Sequence, residues 1–113
     1  SKALILGFTF KENCPDIRNT KVVDIYQQLL DFGIDVDVFD PWVDASEALA
    51  LYDLSLIRKP KSDAYSAVIV AVAHDDFKDF GVAGITKFCK SNYVIYDLKS
   101  ILPEPVSANI LRL

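Results

Sequence analysis

The chain has 113 residues, enough for one domain, and 51% of them are apolar, enough for one packed core. Twelve Lys and Arg against sixteen Asp and Glu leave a net charge of −4. That balance argues against a general nucleic-acid footprint, and no run of 18 apolar residues offers a membrane-spanning helix.

Taken in chain order, Lys2–Gly7 is a Leu- and Ile-rich strand ending in glycine. A basic loop follows, running from Gly7 to Lys21 and carrying Lys11, Arg18 and Lys21 with one proline and an Asn-Thr cap. Thr20–Phe32 is a helix with Val22, Ile25, Tyr26 and Leu29 on one stripe, Asn19 or Thr20 to cap it and Gly33 past its end. Ile34–Phe39 alternates as a strand with one wetter face, and Ala45–Tyr52 is a short helix opened by Asp44. Leu54–Ile57 is a further strand candidate. Ala67–Ala73 is apolar on both faces, as in a covered parallel sheet. Asp75–Cys89 is helical with a break near Gly81 or Gly84, and Tyr93–Leu98 is the last strand. After Pro103 the tail is Pro-rich and ends Ile-Leu-Arg-Leu, which reads as truncation or as a partner surface.

Strands and helices alternating at this spacing form βαβ units with right-handed crossovers. The expected fold is α/β: a three-layer, Rossmann-like parallel sheet of about five strands with helices on both faces, in one domain over 1–113. Cys14 in the loop and Cys89 in a helical core pattern are too few and too isolated for a disulfide framework or a zinc site. They fit a reducing cytoplasm, and no signal-peptide layout opens the chain. The sequence contains no Met, which reads as a fragment of a longer protein.

In a doubly wound sheet the carboxyl ends of neighbouring strands share one edge, where ligands bind. Four features fall on that edge. After the first strand, Gly7 permits a turn, Lys11 offers a compact ammonium and Arg18 a planar fork for an oxyanion. The N–H groups opening the helix near Thr20 add positive potential, and Asp16 orients one of the cations. The competing reading is a solvated loop whose charges pair with one another. After the last strand, Lys99 either faces the same crevice or is an ordinary surface lysine. Ala73-His74-Asp75-Asp76 carries the only histidine, read chiefly as a helix-cap neighbour. Asp40-Pro41 ends the second strand and starts a turn. A ribose-binding role for Asp40 would need GxGxxG after the first strand, where this chain has GFTFKE.

Gly7-Phe8-Thr9-Phe10-Lys11, Asp16-Ile17-Arg18-Asn19-Thr20, Gly33 and Val38-Phe39-Asp40-Pro41 together resemble the C-terminal domain of the UDP-glucose/GDP-mannose dehydrogenase family. The similarity extends over Ala71–Phe77 and Tyr96–Lys99 and so spans nearly the whole chain. The string Phe-Lys-Glu-Asn-Cys-Pro-Asp-Ile-Arg-Asn-Thr-Lys is most like the bacterial branch that acts on UDP-N-acetylglucosamine or UDP-N-acetylgalactosamine. The resemblance implies a larger, cytoplasmic, homodimeric enzyme of polysaccharide biosynthesis. An N-terminal domain would bind NAD, a helical middle would form the dimer, and this domain would hold the nucleotide end of the UDP-sugar. It further implies that Phe10 and Lys11 contact the UDP-sugar and that Arg18 reaches the NAD. Lys99 stands where relatives place a basic residue, often Arg, so here the bidentate fork is absent. The family oxidises the sugar C6 alcohol to a carboxylate with two NAD, using a cysteine outside this domain. Cys14 is not its match, so no catalytic residue is expected here, and the chain alone is expected to be inactive.

Two other small α/β modules compete. A receiver domain would use Lys99 and strand-end aspartates, but it wants an acidic pair after its first strand to hold Mg²⁺. A flavodoxin-like carrier would want a Ser/Thr/Gly phosphate loop, which Phe8 and Phe10 do not supply.

Overall fold

The computed structural model describes residues 2–103 and 109–112. Its elements are β1 (Lys2–Leu6), α1 (Val22–Asp31), β2 (Asp35–Phe39), α2 (Ala45–Tyr52), β3 (Tyr65–Val70), α3 (Asp75–Thr86), β4 (Cys89–Asp97) and β5 (Ile110–Arg112). All five strands lie parallel in the order β2-β1-β3-β4-β5. β1 is central on its side, with Ile5 opposite Val38 of β2 and Ile69 of β3.

Alternation along the strands sends successive side chains to opposite faces, so the continuous apolar runs feed two cores. Leu4 and Leu6, with Val68, Val70 and Ile95, pack under Phe77 and Ile85 of α3. Ile5, Val38 and Ile69 pack under Val22 of α1 and Ala48 of α2. This is the expected three-layer arrangement. Each fully buried Leu or Ile contributes about 1.5–3 kcal/mol.

The helix ends follow local chemistry. α1 starts two residues later than expected: Lys21 is at its N-cap, while Thr20 Oγ1 accepts the Val22 N–H at 3.2 Å. Past α1, Gly33 at φ 79° donates to Leu30 O at 2.9 Å, the left-handed ending that favours glycine. Asp44 caps α2 through the Ser46 and Glu47 N–H groups. The break in α3 falls at Gly81 (φ 65°).

Three expectations are corrected. Leu54–Ile57 is not a strand. Leu54 is buried in the α1/α2 core, and the Ile57 N–H makes one bond to Val38 O at 3.0 Å along the edge strand β2. The fifth strand is instead Ile110–Arg112, paired with β4, so that tail segment belongs to the sheet. Residues 104–108 of the Pro-rich tail lie outside the described residues. Cys89 does not close the helix, which ends at Thr86, but opens β4. It is buried as expected, and burial pushes its thiol up to about 11.

Candidate functional site

β1 feeds α1 on one face and β3 feeds α3 on the other. The crossovers therefore part at the carboxyl ends of β1 and β3, and a crevice opens there. Gly7 makes the exit from β1 possible. Its φ is 102°, and a Cβ there would sit 2.6 Å from Val72 Cβ, closer than packed carbons approach.

The loop beyond Gly7 hangs from β2. The buried Asp40 carboxylate accepts the Phe8 N–H at 2.7 Å and the Thr9 N–H at 3.2 Å through Oδ2, and the Trp42 N–H at 2.9 Å through Oδ1. His74, wholly buried after β3, places Nε2 2.9 Å from the same Oδ2 and 3.1 Å from Thr9 Oγ1. Its Nδ1 accepts the Asn13 N–H at 2.8 Å. An amide can only donate, so Nδ1 carries no proton, and the Nε2–H tautomer points at Asp40. Thr9 Oγ1–H donates to Lys11 O at 2.8 Å, and Asn13 Oδ1 accepts the Asp75 N–H at 3.0 Å. Asn13 holds φ 53°, a conformation Asn tolerates.

The turn after β4 is held in the same manner. Asp97, wholly buried, accepts the Ile101 N–H at 3.0 Å and the Leu102 N–H at 2.9 Å, and the Leu98 N–H bonds Val70 O at 3.2 Å. Lys99 is thereby set beside the end of β3.

These anchors bring Phe10, Lys11 and Lys99 together around one cleft of about 220 Å³, with Val72 on its wall. Lys21, at the start of α1, lines the same cleft, as does Glu12. Phe10 is 56% exposed. Among the described residues none of Lys11, Lys21 or Lys99 makes an ion pair. Three ammonium groups against one carboxylate, beside a helix N-terminus, suit a multiply charged anion.

Arg18 is not part of that cleft. It lies in a second hollow with Asp16, Trp42, Asp44 and Glu47. Asp16 Oδ1 accepts from Arg18 N at 2.9 Å and from its Nε at 3.2 Å. The backbone N–H first, then the guanidinium, hold the Asp16 carboxyl below its ordinary range, and the same pair raises Arg18. Asp16 thus orients Arg18, as one of the two loop cations was expected to be. The pair is exposed and contributes little to stability.

The sequence reading missed the Asp40–His74 anchor and the place of Lys21 in the cleft. His74 is at the N-cap position of α3 but makes no side-chain cap; its ring bonds lie 34 and 61 residues away. The available signal was an Asp and a lone His ending two different strands on one sheet edge.

Fold and site define an α/β domain that presents a cationic cleft at the topological switch point. The chain belongs to the UDP-glucose/GDP-mannose dehydrogenase family: residues 4–104 match its UDP binding domain. That membership removes the receiver and flavodoxin readings, although the strand order 2-1-3-4-5 is the one flavodoxins use. The chain is 50% identical over 107 residues, 95% of its length, to UDP-N-acetyl-D-glucosamine 6-dehydrogenase of Pseudomonas aeruginosa. It is 52% identical over 107 residues, again 95% of its length, to the Salmonella typhi enzyme of the same name. It spans about a quarter of the length of either relative, 25% in each case. Among solved structures it superposes on UDP-D-ManNAc dehydrogenase from Pyrococcus horikoshii with a TM-score of 0.77 at 17% identity, covering 99% of this chain and 25% of that one. GDP-mannose dehydrogenase from Pseudomonas aeruginosa gives 0.75 at 18% identity, covering 98% and 27%. These structural likenesses bear on the fold.

Proposed function

We propose that this chain is the UDP-sugar-binding part of an NAD-dependent UDP-N-acetylhexosamine 6-dehydrogenase of polysaccharide biosynthesis, acting in the cytoplasm as a homodimer. Phe10, Lys11 and Lys99 hold the nucleotide diphosphate, and Lys21 adds a third cation. The observation that carries the reading is the convergence, on one cleft of a domain in this family, of lysines that make no ion pair among the described residues. The two relatives at 50 and 52% identity support the substrate class. Binding energy from the diphosphate holds the distant sugar C6 in place for chemistry on the rest of the enzyme.

Arg18 is assigned to NAD, the hydride acceptor, which is bound mainly by the N-terminal domain of the whole enzyme. Its guanidinium is exposed, and Asp16 occupies the Nε edge, which leaves further N–H donors. Asp44 and Glu47 beside it suit a single contact rather than a phosphate cradle.

An NMR titration of the chain with UDP tests the substrate site. The Phe10, Lys11 and Lys99 amides should shift together with a Kd of about 0.1–1 mM, weak because half of the cleft is open to water. Nanomolar affinity, or no response at 10-fold higher UDP than that range, would reject the proposal. For Arg18, the Arg18→Ala change in the whole dehydrogenase should weaken use of NAD more than UDP-sugar binding; equal loss of both would remove its cofactor role.

A further inference from the structure

We infer that His74, as the uncharged Nε2–H tautomer, is a positioning residue that sets where the Lys11 ammonium stands in the diphosphate cleft. The inference rests on the proposed UDP site and adds to it a residue that lines no part of that cleft. The ring is wholly buried, and its nitrogens are spent on the loop and on the loop's anchor. Nδ1 holds the Asn13 N–H at 2.8 Å, at the far end of the Phe8–Asn13 segment. Nε2–H meets Asp40 Oδ2 at 2.9 Å, and that oxygen holds the near end through Phe8 and Thr9. Lys11 lies between these two fixed points, with its carbonyl tied to Thr9 Oγ1 at 2.8 Å.

The ring itself is clamped. Trp42 stacks on it at 5.8 Å between centroids, 27° from parallel, and Trp42 Nε1–H is held by Asp76 Oδ1 at 2.8 Å. Phe77 packs 5.3 Å away. The imidazole therefore cannot turn to exchange its partners without displacing the indole. The geometry requires an acceptor toward Asn13 and a donor toward Asp40, and only one neutral tautomer supplies both. A loop that loses the Asn13 tether leaves an exposed lysine free to wander, whereas Asp40 still holds the Phe8 and Thr9 amides without the ring; misplacement of about 1 Å is enough to weaken a charge-assisted contact severely.

Two substitutions divide the ring's roles. His74→Asn keeps an acceptor near the Nδ1 position, and His74→Gln keeps a donor near Nε2. His74→Gln should raise the Kd for UDP about tenfold and erase the Lys11 amide response, while the Lys99 response persists. His74→Asn should remain within about threefold of the unaltered chain. Equal losses in both variants, or an unchanged Kd in His74→Gln, would overturn the inference. Should either variant fail to fold, the unaltered chain still decides. Scalar coupling across the hydrogen bond between the Asn13 amide nitrogen and His74 Nδ1, with Nε2 protonated, is expected at neutral pH; an Nδ1–H tautomer or an imidazolium would refute it. An unaltered chain that ignores UDP, yet shows that coupling, would instead defeat the proposed function.

Discussion

The two edges of the sheet carry similar charges and use them in opposite ways. At the amino edge, Lys2 Nζ lies 3.4 Å from Asp37 and 3.8 Å from Asp35, and Tyr65 O–H donates to Asp37 Oδ2 at 2.6 Å. Burial, then that hydrogen bond, raises the Tyr65 phenol above its ordinary value. Carboxylate and ammonium there satisfy each other. At the carboxyl edge, Asp40 and Asp97 spend their oxygens mainly on backbone N–H groups, five of them between the two. The lysines on the turns so held are left without acidic partners among the described residues. An edge whose acids hold amides and whose cations face an open cleft is built to receive an anion; an edge whose charges pair off is built to stay shut.

The largest effect that would break this contrast is at Asp40. Asp40→Ala strands the Phe8, Thr9 and Trp42 N–H groups and the His74 Nε2–H in a buried place. A loss of about 3–4 kcal/mol is expected in urea unfolding, since each orphaned donor costs about 1–3 kcal/mol and water satisfies part of the set. A loss below 1 kcal/mol would mean that the loop does not depend on this anchor. Gly7→Ala comes next, at about 3 kcal/mol, from left-handed strain together with contact against Val72. At the closed edge, Tyr65→Phe removes the hydrogen bond to Asp37 and the long 3.5 Å one from the Lys61 N–H but leaves Asp37 its lysine, so about 1 kcal/mol is expected.

How much of this was legible follows from the range of each interaction. Parallel strands share a carboxyl edge whatever their order, so spacing and topology put Gly7, Lys11 and Lys99 on one edge but left open whether Lys99 faced the crevice or solvent; only the family resemblance pointed it at the substrate. Helix α1 was legible from its apolar stripe and α2 from its Asp44 cap, both local signals; the opening of α1 was not, since Lys21 rather than Asn19 or Thr20 stands at its N-cap. β5 was not, because three residues become a strand only by pairing with β4, opposite Ile95, Tyr96 and Asp97. Cys89 was misassigned because Ile85, Phe88 and Cys89 keep a helical spacing past the point where the helix stops. His74 does stand next to the start of α3, as expected, but its ring partners, Asn13 and Asp40, are far off in sequence and meet it only in the folded chain. Lys21 was visible as a cation, but its cleft was not, since that needs the position of α1 against Val72.

The smallest expected effect on stability is also the sharpest statement of the comparison. Replacing both Lys11 and Lys99 by Ala removes two exposed ammonium groups that make no ion pair among the described residues. Thermal unfolding should therefore move by no more than about 2 °C. The same double change should abolish the UDP-induced shifts of the Phe10 amide, because the cleft would keep only Lys21 against Glu12. Added salt should imitate it in the unaltered chain, weakening UDP binding progressively as screening lengths fall toward about 8 Å and below. If the double variant unfolds several degrees lower, the lysines are structural partners after all, and the carboxyl edge is as closed as the amino one. If it is stable and still binds UDP, the anion is held elsewhere. Only a stable fold that has lost its ligand keeps the two edges distinct.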